Sequence, residues 1–198
     1  MSARTDARHA DLRARLAEAA ERRIAQAGLG AMKARALAAE VGCALGAIYT
    51  VYDDLDALVL AVNARTFRRL GAHVTQALDT GAPRCATEQM VTLARGYYSF
   101  ARDNPRLWQA LFDVALTDES AVPQWYLAEL GALFALIDAP LARARPELPA
   151  QDRALLTRAL YASVHGIVLL GVQRRISAVP EPQIDRMLEM VVRGVAAG

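Results

Sequence analysis

Residues able to do chemistry are sparse in this chain of 198 residues, and they gather in two places. One is residues 41–58, "VGCALGAIYTVYDDLDAL", where Gly42 and Gly46 stand four apart and are followed by Tyr49, Tyr52 and the acids Asp53, Asp54 and Asp56. This segment holds no nucleophile beside a base, no phosphate-cradling glycine loop and no metal set. The other place is His165, inside the apolar run "ALYASVHGIVLLGV". A lone histidine on an apolar helix is ordinarily a hydrogen-bonded core residue, and no metal-ligand spacing joins His165 to a second ligand. Cys43 and Cys85 have no partner spacing, which argues against a disulfide framework and a zinc site and fits a reducing compartment. An all-helical enzyme using His165 would need a nucleophile, an acid pair or a metal set that the sequence does not offer. The reading is therefore a non-enzyme with no cofactor.

Charge says more by its placement than by its total. The net charge is +2, too small for a chain that is polybasic throughout. Residues 1–35 nevertheless carry eight basic residues (Arg4, Arg8, Arg13, Arg15, Arg22, Arg23, Lys33, Arg35) against four acids (Asp6, Asp11, Glu18, Glu21). That local excess of four positive charges suits a polyanion, although a solvated helix face has the same composition.

The elements that must position these residues are helical. With 54% hydrophobic residues and a mean hydropathy of +0.15, the chain can bury a sizeable core. Ala, Leu, Arg and Glu, all good helix formers, dominate, and Val and Ile do not alternate. An all-α chain of about nine helices follows. All eight prolines lie at or after Pro83, and glycine does the breaking before that point. Leu12, Leu16, Ala20, Ile24 and Ala27 predict a helix over 6–27, stopped by Gly28 and Gly30. Short helices are expected at 34–41 and, for about two turns, at 45–51, with Gly42 between them. A long helix starts at Asp54 or Leu55 and runs toward Leu78. Beyond a turn at 79–83, helices are expected at 87–102, 105–117, 123–143 and 151–175, with a last one opened by Pro180 and Pro182. Asn104 and Pro105 predict a side-chain cap with proline at the first helical position. The N-terminus has no signal-peptide apolar core, and the longest apolar run, 159–172, has 14 residues where a span needs about 20. A cytoplasmic chain without a membrane partner is expected.

Two short helices joined at a glycine match a helix-turn-helix, held together by Leu37, Val41, Ile48 and Val51, but a generic helical hairpin has the same features. Residues 36–62, "ALAAEVGCALGAIYTVYDDLDALVLAV", resemble the helix-turn-helix signature of the tetracycline-repressor (TetR) family. Leu37, Ala38, Gly42, Gly46, Ile48, Tyr49, Tyr52 and Leu58 match it in identity or character. The surrounding plan agrees, with one helix before the motif and about six after. The resemblance implies a three-helix DNA-binding domain over 1–53 and a helical ligand-binding and dimerisation domain over 54–198. It implies that Gly46 allows close approach to DNA and that Tyr49 donates to a phosphate. It also implies that Lys33 and Arg35 meet a phosphate or groove edge, and that Ala44, Leu45, Ala47, Thr50 and Leu55 complete the DNA-facing set. Three departures stand out: Ala44 replaces the usual serine cap, Leu45 a polar or basic residue, and Leu55 a lysine. With Asp53, Asp54 and Asp56 nearby, a weak electrostatic hold is expected, with readout through thymine methyls and DNA shape.

The later aromatics Tyr97, Tyr98, Phe100, Trp108, Phe112, Trp125, Tyr126, Phe134 and Tyr161 could line a cavity, though aromatics at helical spacing also make ordinary cores; all but Tyr98 and Phe134 are candidates to bind an effector. Residues 103–114, "DNPRLWQALFDV", and 161–166, ending in His165-Gly166, are similar to elements of one TetR C-terminal subfamily. That likeness makes His165 a candidate polar anchor, with Gly166 permitting close helix approach. The last two helices carry apolar surface suited to a symmetric dimer, the family's arrangement. The resulting expectation is a homodimeric repressor that leaves a palindromic DNA operator when a small, largely apolar effector binds. The alternatives are a helical adaptor whose DNA binding has decayed, and the His165 enzyme.

Overall fold

The structure, a computed structural model, describes residues 3–81, 85–114, 122–173 and 179–198. Among these, every regular element is helical: α1 Ala3–Ala27, α2 Ala34–Val41, α3 Leu45–Ile48, α4 Leu55–Gly81, α5 Ala86–Asp103, α6 Pro105–Asp113, α7 Gln124–Ala144, α8 Ala150–Val172 and α9 Ile184–Ala197. Single 3-10 turns, Leu29–Ala31 and Glu181–Gln183, lead out of α1 and into α9. The expected turn after Gly81, the extension of the sixth helix to Thr117 and the end of the eighth at Arg175 fall wholly or partly outside the described residues.

Local chemistry explains the breaks. Gly28 has φ +77°, a left-handed conformation that ends α1 at little cost only for glycine. Gly42 (φ +70°) closes α2: its N–H donates to Ala39 O (3.3 Å) and the Cys43 N–H to Ala38 O (2.9 Å), a Schellman pairing. α3 is shorter than the two turns expected. One α-turn ends at Ile48, and the chain continues with three-residue turns, Thr50 N–H to Ala47 O and Val51 N–H to Ile48 O. Ala44, at the N-terminal cap position, has no side-chain acceptor for the first N–H groups of α3. Asp54 caps α4, with the Ala57 N–H donating to Asp54 Oδ1 at 2.7 Å. α6 has Pro105 in its first turn, but Asn104 makes no capping bond with its side chain. The backbone of Asn104 (φ −130°, ψ 51°) departs from the extended form usual for a side-chain cap.

Packing divides the chain into two compact units, Met1–Phe67 with Asn104–Tyr126, and Arg68–Asp103 with Leu127–Gly198. The first is built on Leu16, Ile24, Leu37, Ile48, Leu58 and Val62, all fully buried, and α6 packs on α1, adding Leu107 and Ala110 to that core. The second is built where α5, α8 and α9 meet. Val168, Ile184 and Leu188 are fully buried there, and Leu141 of α7 is fully buried in the same unit. Gly171 is the most closely approached of its described glycines: a Cβ there would lie 3.2 Å from Ile184 Cγ1 and nearer still to Cδ1. At Gly166, where close approach was expected, a Cβ would meet nothing within 4 Å in this chain. α4 contributes its first half to one unit and its second half to the other.

The apolar surface is larger than the uninterrupted 14-residue run suggested. α7 and α8 are each long and apolar enough to cross a membrane by length and composition, and only 17% and 28% of their most apolar windows is buried within the chain. Scattered charges interrupt both windows in sequence, which hid their continuity.

Candidate functional site

α3 presents two sides. Ile48 points into the core and is fully buried, and Val51 and Tyr52 follow it inward. Ala44, Leu45, Gly46, Tyr49 and Thr50 are exposed, and Ala47 is half-buried. Leu45 and Tyr49, four residues apart, share the outward face. A Cβ on Gly46 would touch nothing within 4 Å, so no packing in the chain requires glycine there. The Thr50 hydroxyl donates to Ala47 O at 2.7 Å and keeps its acceptor side available. Lys33 holds the cap position of α2 and Arg35 sits in its first turn, both exposed. Leu55 instead packs partly buried against the first unit's core, where it adds apolar contact rather than charge.

Half of the basic cluster is committed to partners within the chain. Arg13 Nε (3.0 Å) and Nη2 both donate to Val51 O, and Arg15 donates to Val41 O. Arg22 and Arg23 donate to Glu40 at 3.0 and 2.7 Å. Burial pushes the Glu40 carboxyl up, but these two arginines outweigh it and hold the group below the usual carboxylate range. Among the described residues, Arg4, Arg8, Lys33 and Arg35 make no ion pair. Sequence reasoning counted all eight alike, because partners such as Val51, 38 positions from Arg13, leave no local signal.

The expected effector residues fall into two groups, one in each compact unit. In the second unit, Tyr97 Oη lies 2.8 Å from His165 Nδ1, Tyr161 stacks on His165 at 5.7 Å between centroids, and Tyr97 meets Tyr161 edge-on at 6.1 Å. Phe134, also among the expected cavity aromatics, packs edge-on against Tyr161 at 5.2 Å. Phe100 packs on His73, whose Nε2 lies 2.7 Å from Ser99 Oγ. Burial pushes the His165 imidazole below its ordinary range, so it is neutral near pH 7, and burial pushes the Tyr161 phenol up. In the first unit, Trp108 is fully buried and meets Phe112 edge-on at 5.5 Å. Trp125 and Tyr126 pair at 5.8 Å, and Tyr126 packs on Phe67 at 5.3 Å, with Phe112 and Trp125 exposed. Asn63, the one amide in the apolar opening of α4, is fully buried there and donates from Nδ2 to Ala110 O of α6 at 3.0 Å. A polar residue inside "LVLAVNA" was the available sequence signal for this tie between α4 and α6.

Residues 90–195 match the family model described as a tetracyclin repressor-like C-terminal domain. Among solved structures, a candidate transcriptional regulator from Pseudomonas aeruginosa PAO1 is 25% identical, with 94% of this chain and 90% of that chain covered and a TM-score of 0.71. The TetR family transcriptional regulator PfmR from Thermus thermophilus is 14% identical over 92% and 97% of the two chains, with a TM-score of 0.61. The transcriptional regulator FadR from Bacillus subtilis, solved in complex with stearoyl-CoA, is 15% identical over 91% and 97%, with a TM-score of 0.69. No curated protein matches the chain in sequence.

Proposed function

The chain belongs to the tetracyclin repressor-like family of transcriptional regulators, and on that premise we propose that it is a cytoplasmic homodimeric repressor released from a palindromic operator by a small, largely apolar effector. The observation that carries this reading is the outward face of α3. Leu45, Gly46 and Tyr49 are presented to solvent, Gly46 has no packing reason to be glycine, and the free cations Lys33 and Arg35 lie at the start of the adjoining α2. Residues 1–53 would form the DNA-reading part, with Ala44, Leu45, Ala47 and Thr50 toward base edges and Tyr49 on a phosphate. Leu45 and the alanines favour thymine methyls and DNA shape over polar base contacts.

Residues 54–198 would bind the effector and the second copy. Tyr97, Tyr161 and His165 offer polar tips within aromatic walls, the composition of a site for a mostly apolar molecule with one polar group. Phe100 belongs to this group, and Trp108, Phe112, Trp125 and Tyr126 of the other unit are proposed as effector contacts in their own right. The stearoyl-CoA complex of the Bacillus subtilis relative is in keeping with an apolar-tailed ligand in this fold. The uncovered apolar surface of α8 and α9 suits a symmetric contact. Effector binding would act through α4, one continuous helix from the Asp54 cap to Gly81, and change the spacing of two reading helices that must match half-sites about 34–36 Å apart.

The test is a mobility-shift titration against the DNA upstream of the gene at low salt. A shift by two protomers, competed by the same duplex and not by a scrambled one, is expected. No shift of any palindrome there would favour a helical adaptor without DNA binding.

A further inference from the structure

The reading helix is held from behind. α3 is a single turn without a side-chain cap, and only Ile48 of its residues is fully buried. So short a helix has little stability of its own, and its direction depends on what grips its ends. Arg13 of α1 makes the grip at the far end: Nε and Nη2 both donate to Val51 O, a forked contact suited to a guanidinium. The same guanidinium lies 5.5 Å over the ring of the buried Tyr52. The Tyr52 hydroxyl donates back to the Arg13 carbonyl at 3.1 Å, closing a ring of contacts between two points 39 residues apart. Arg15, two positions along the same helix, donates to Val41 O at the end of α2, so the near end is fixed from the same side.

We propose that Arg13 and Tyr52 form a positioning lock for the reading helix, setting the direction in which Leu45 and Tyr49 project, and that Arg13 contacts no DNA phosphate. The inference rests on the DNA-reading role proposed for α3. It assigns half of the basic cluster, Arg13 with Arg15, Arg22 and Arg23, to architecture, and leaves Arg4, Arg8, Lys33 and Arg35 for the polyanion.

Two measurements on the full chain test it, using wild type, Arg13→Met, Tyr52→Phe and Arg35→Ala. The first is fluorescence anisotropy with a duplex that the wild type selects from a random-sequence pool, titrated across salt concentrations. Arg13→Met should weaken binding roughly tenfold or more at every salt concentration with an unchanged slope of log K against log salt. Arg35→Ala should flatten that slope by about 0.9 per protomer. Tyr52→Phe, which removes one hydroxyl and keeps the fold, should weaken binding severalfold, again at constant slope. A slope flattened in Arg13→Met by the same 0.9 or so would make Arg13 a phosphate contact and overturn the lock. The second measurement is amide hydrogen exchange of the free protein. Exchange over residues 45–52 should rise about tenfold in Arg13→Met and less in Tyr52→Phe, with α5 and α8 unchanged. Unchanged exchange over 45–52 in both variants overturns the lock. A wild type that selects no duplex defeats the DNA-reading role, and exchange then decides the lock on its own.

Discussion

Gly46 stands in α3 with open space where a Cβ would be. Glycine inside a helix costs about 0.5–1 kcal/mol relative to alanine. Gly46→Ala should therefore raise the unfolding free energy by up to about 1 kcal/mol in urea titrations. The same change should weaken duplex binding, because the added methyl stands on the outward face. A variant no more stable, or one that binds DNA as well as wild type, would place the reason for glycine elsewhere. His165 makes a second residue-scale case. Burial pushes its imidazole below the ordinary 6.5, so the folded chain binds that proton less readily than the unfolded chain. The stability from the neutral ring is then complete above about pH 6.5 and is lost as pH falls below it. Thermal unfolding followed by circular dichroism should show a steeper loss from pH 7 to pH 5 in wild type than in His165→Gln. Equal slopes would show that His165 titrates as an exposed histidine. Both residues were legible in the sequence, Gly46 from a local motif and His165 from its isolation in an apolar run. Tyr97 as its hydrogen-bond partner was not, because 68 positions separate them and only the packing of α5 on α8 brings them together.

Periodicity located the helices well because each buries one stripe. Ile184, Leu188 and Val192, spaced by four in α9, are all buried as the pattern requires. It could not tell which glycine of α8 meets a neighbour, since glycine adds nothing to a stripe. Close approach was expected at Gly166, and it occurs five residues later at Gly171, against Ile184. Gly171→Ala should cost about 1–3 kcal/mol by forcing Ile184 off its position, while Gly166→Ala carries no such penalty within the chain. Equal stability of the two variants in denaturant titration would contradict the α8–α9 packing described. The length of α3 was also beyond the pattern. Leu45, Ile48 and Val51 suit a second turn, but the chain leaves the α-helix at Ile48 and returns to the core through Val51 and Tyr52.

At the scale of the molecule, the unspent quantity is apolar surface. Leu155 and Met190 are 62% and 64% exposed on α8 and α9, and most of the apolar windows of α7 and α8 is uncovered. Light scattering should give twice the chain's 21.4 kDa, and Leu155→Glu with Met190→Glu should return a single chain. A wild type of one chain's mass would remove the symmetric interface from the proposal. Charge at this scale is modest: the net is +2, and four of the eight basic residues before position 36 are bonded to partners within the chain. That restraint was partly legible, in the leucine at position 55 and the acids around it, and partly hidden in the contacts of α1. The central claim, that a dimer reads DNA through α3 with a weak electrostatic hold, is tested most directly by equilibrium binding to a selected palindromic duplex between 50 and 300 mM salt. The account predicts two protomers per duplex, clear preference over a scrambled sequence, and a slope of log K against log salt no steeper than about −7, from 0.9 per phosphate and four free cations per protomer. Binding by one protomer, no preference over the scrambled duplex, or a markedly steeper slope would contradict it.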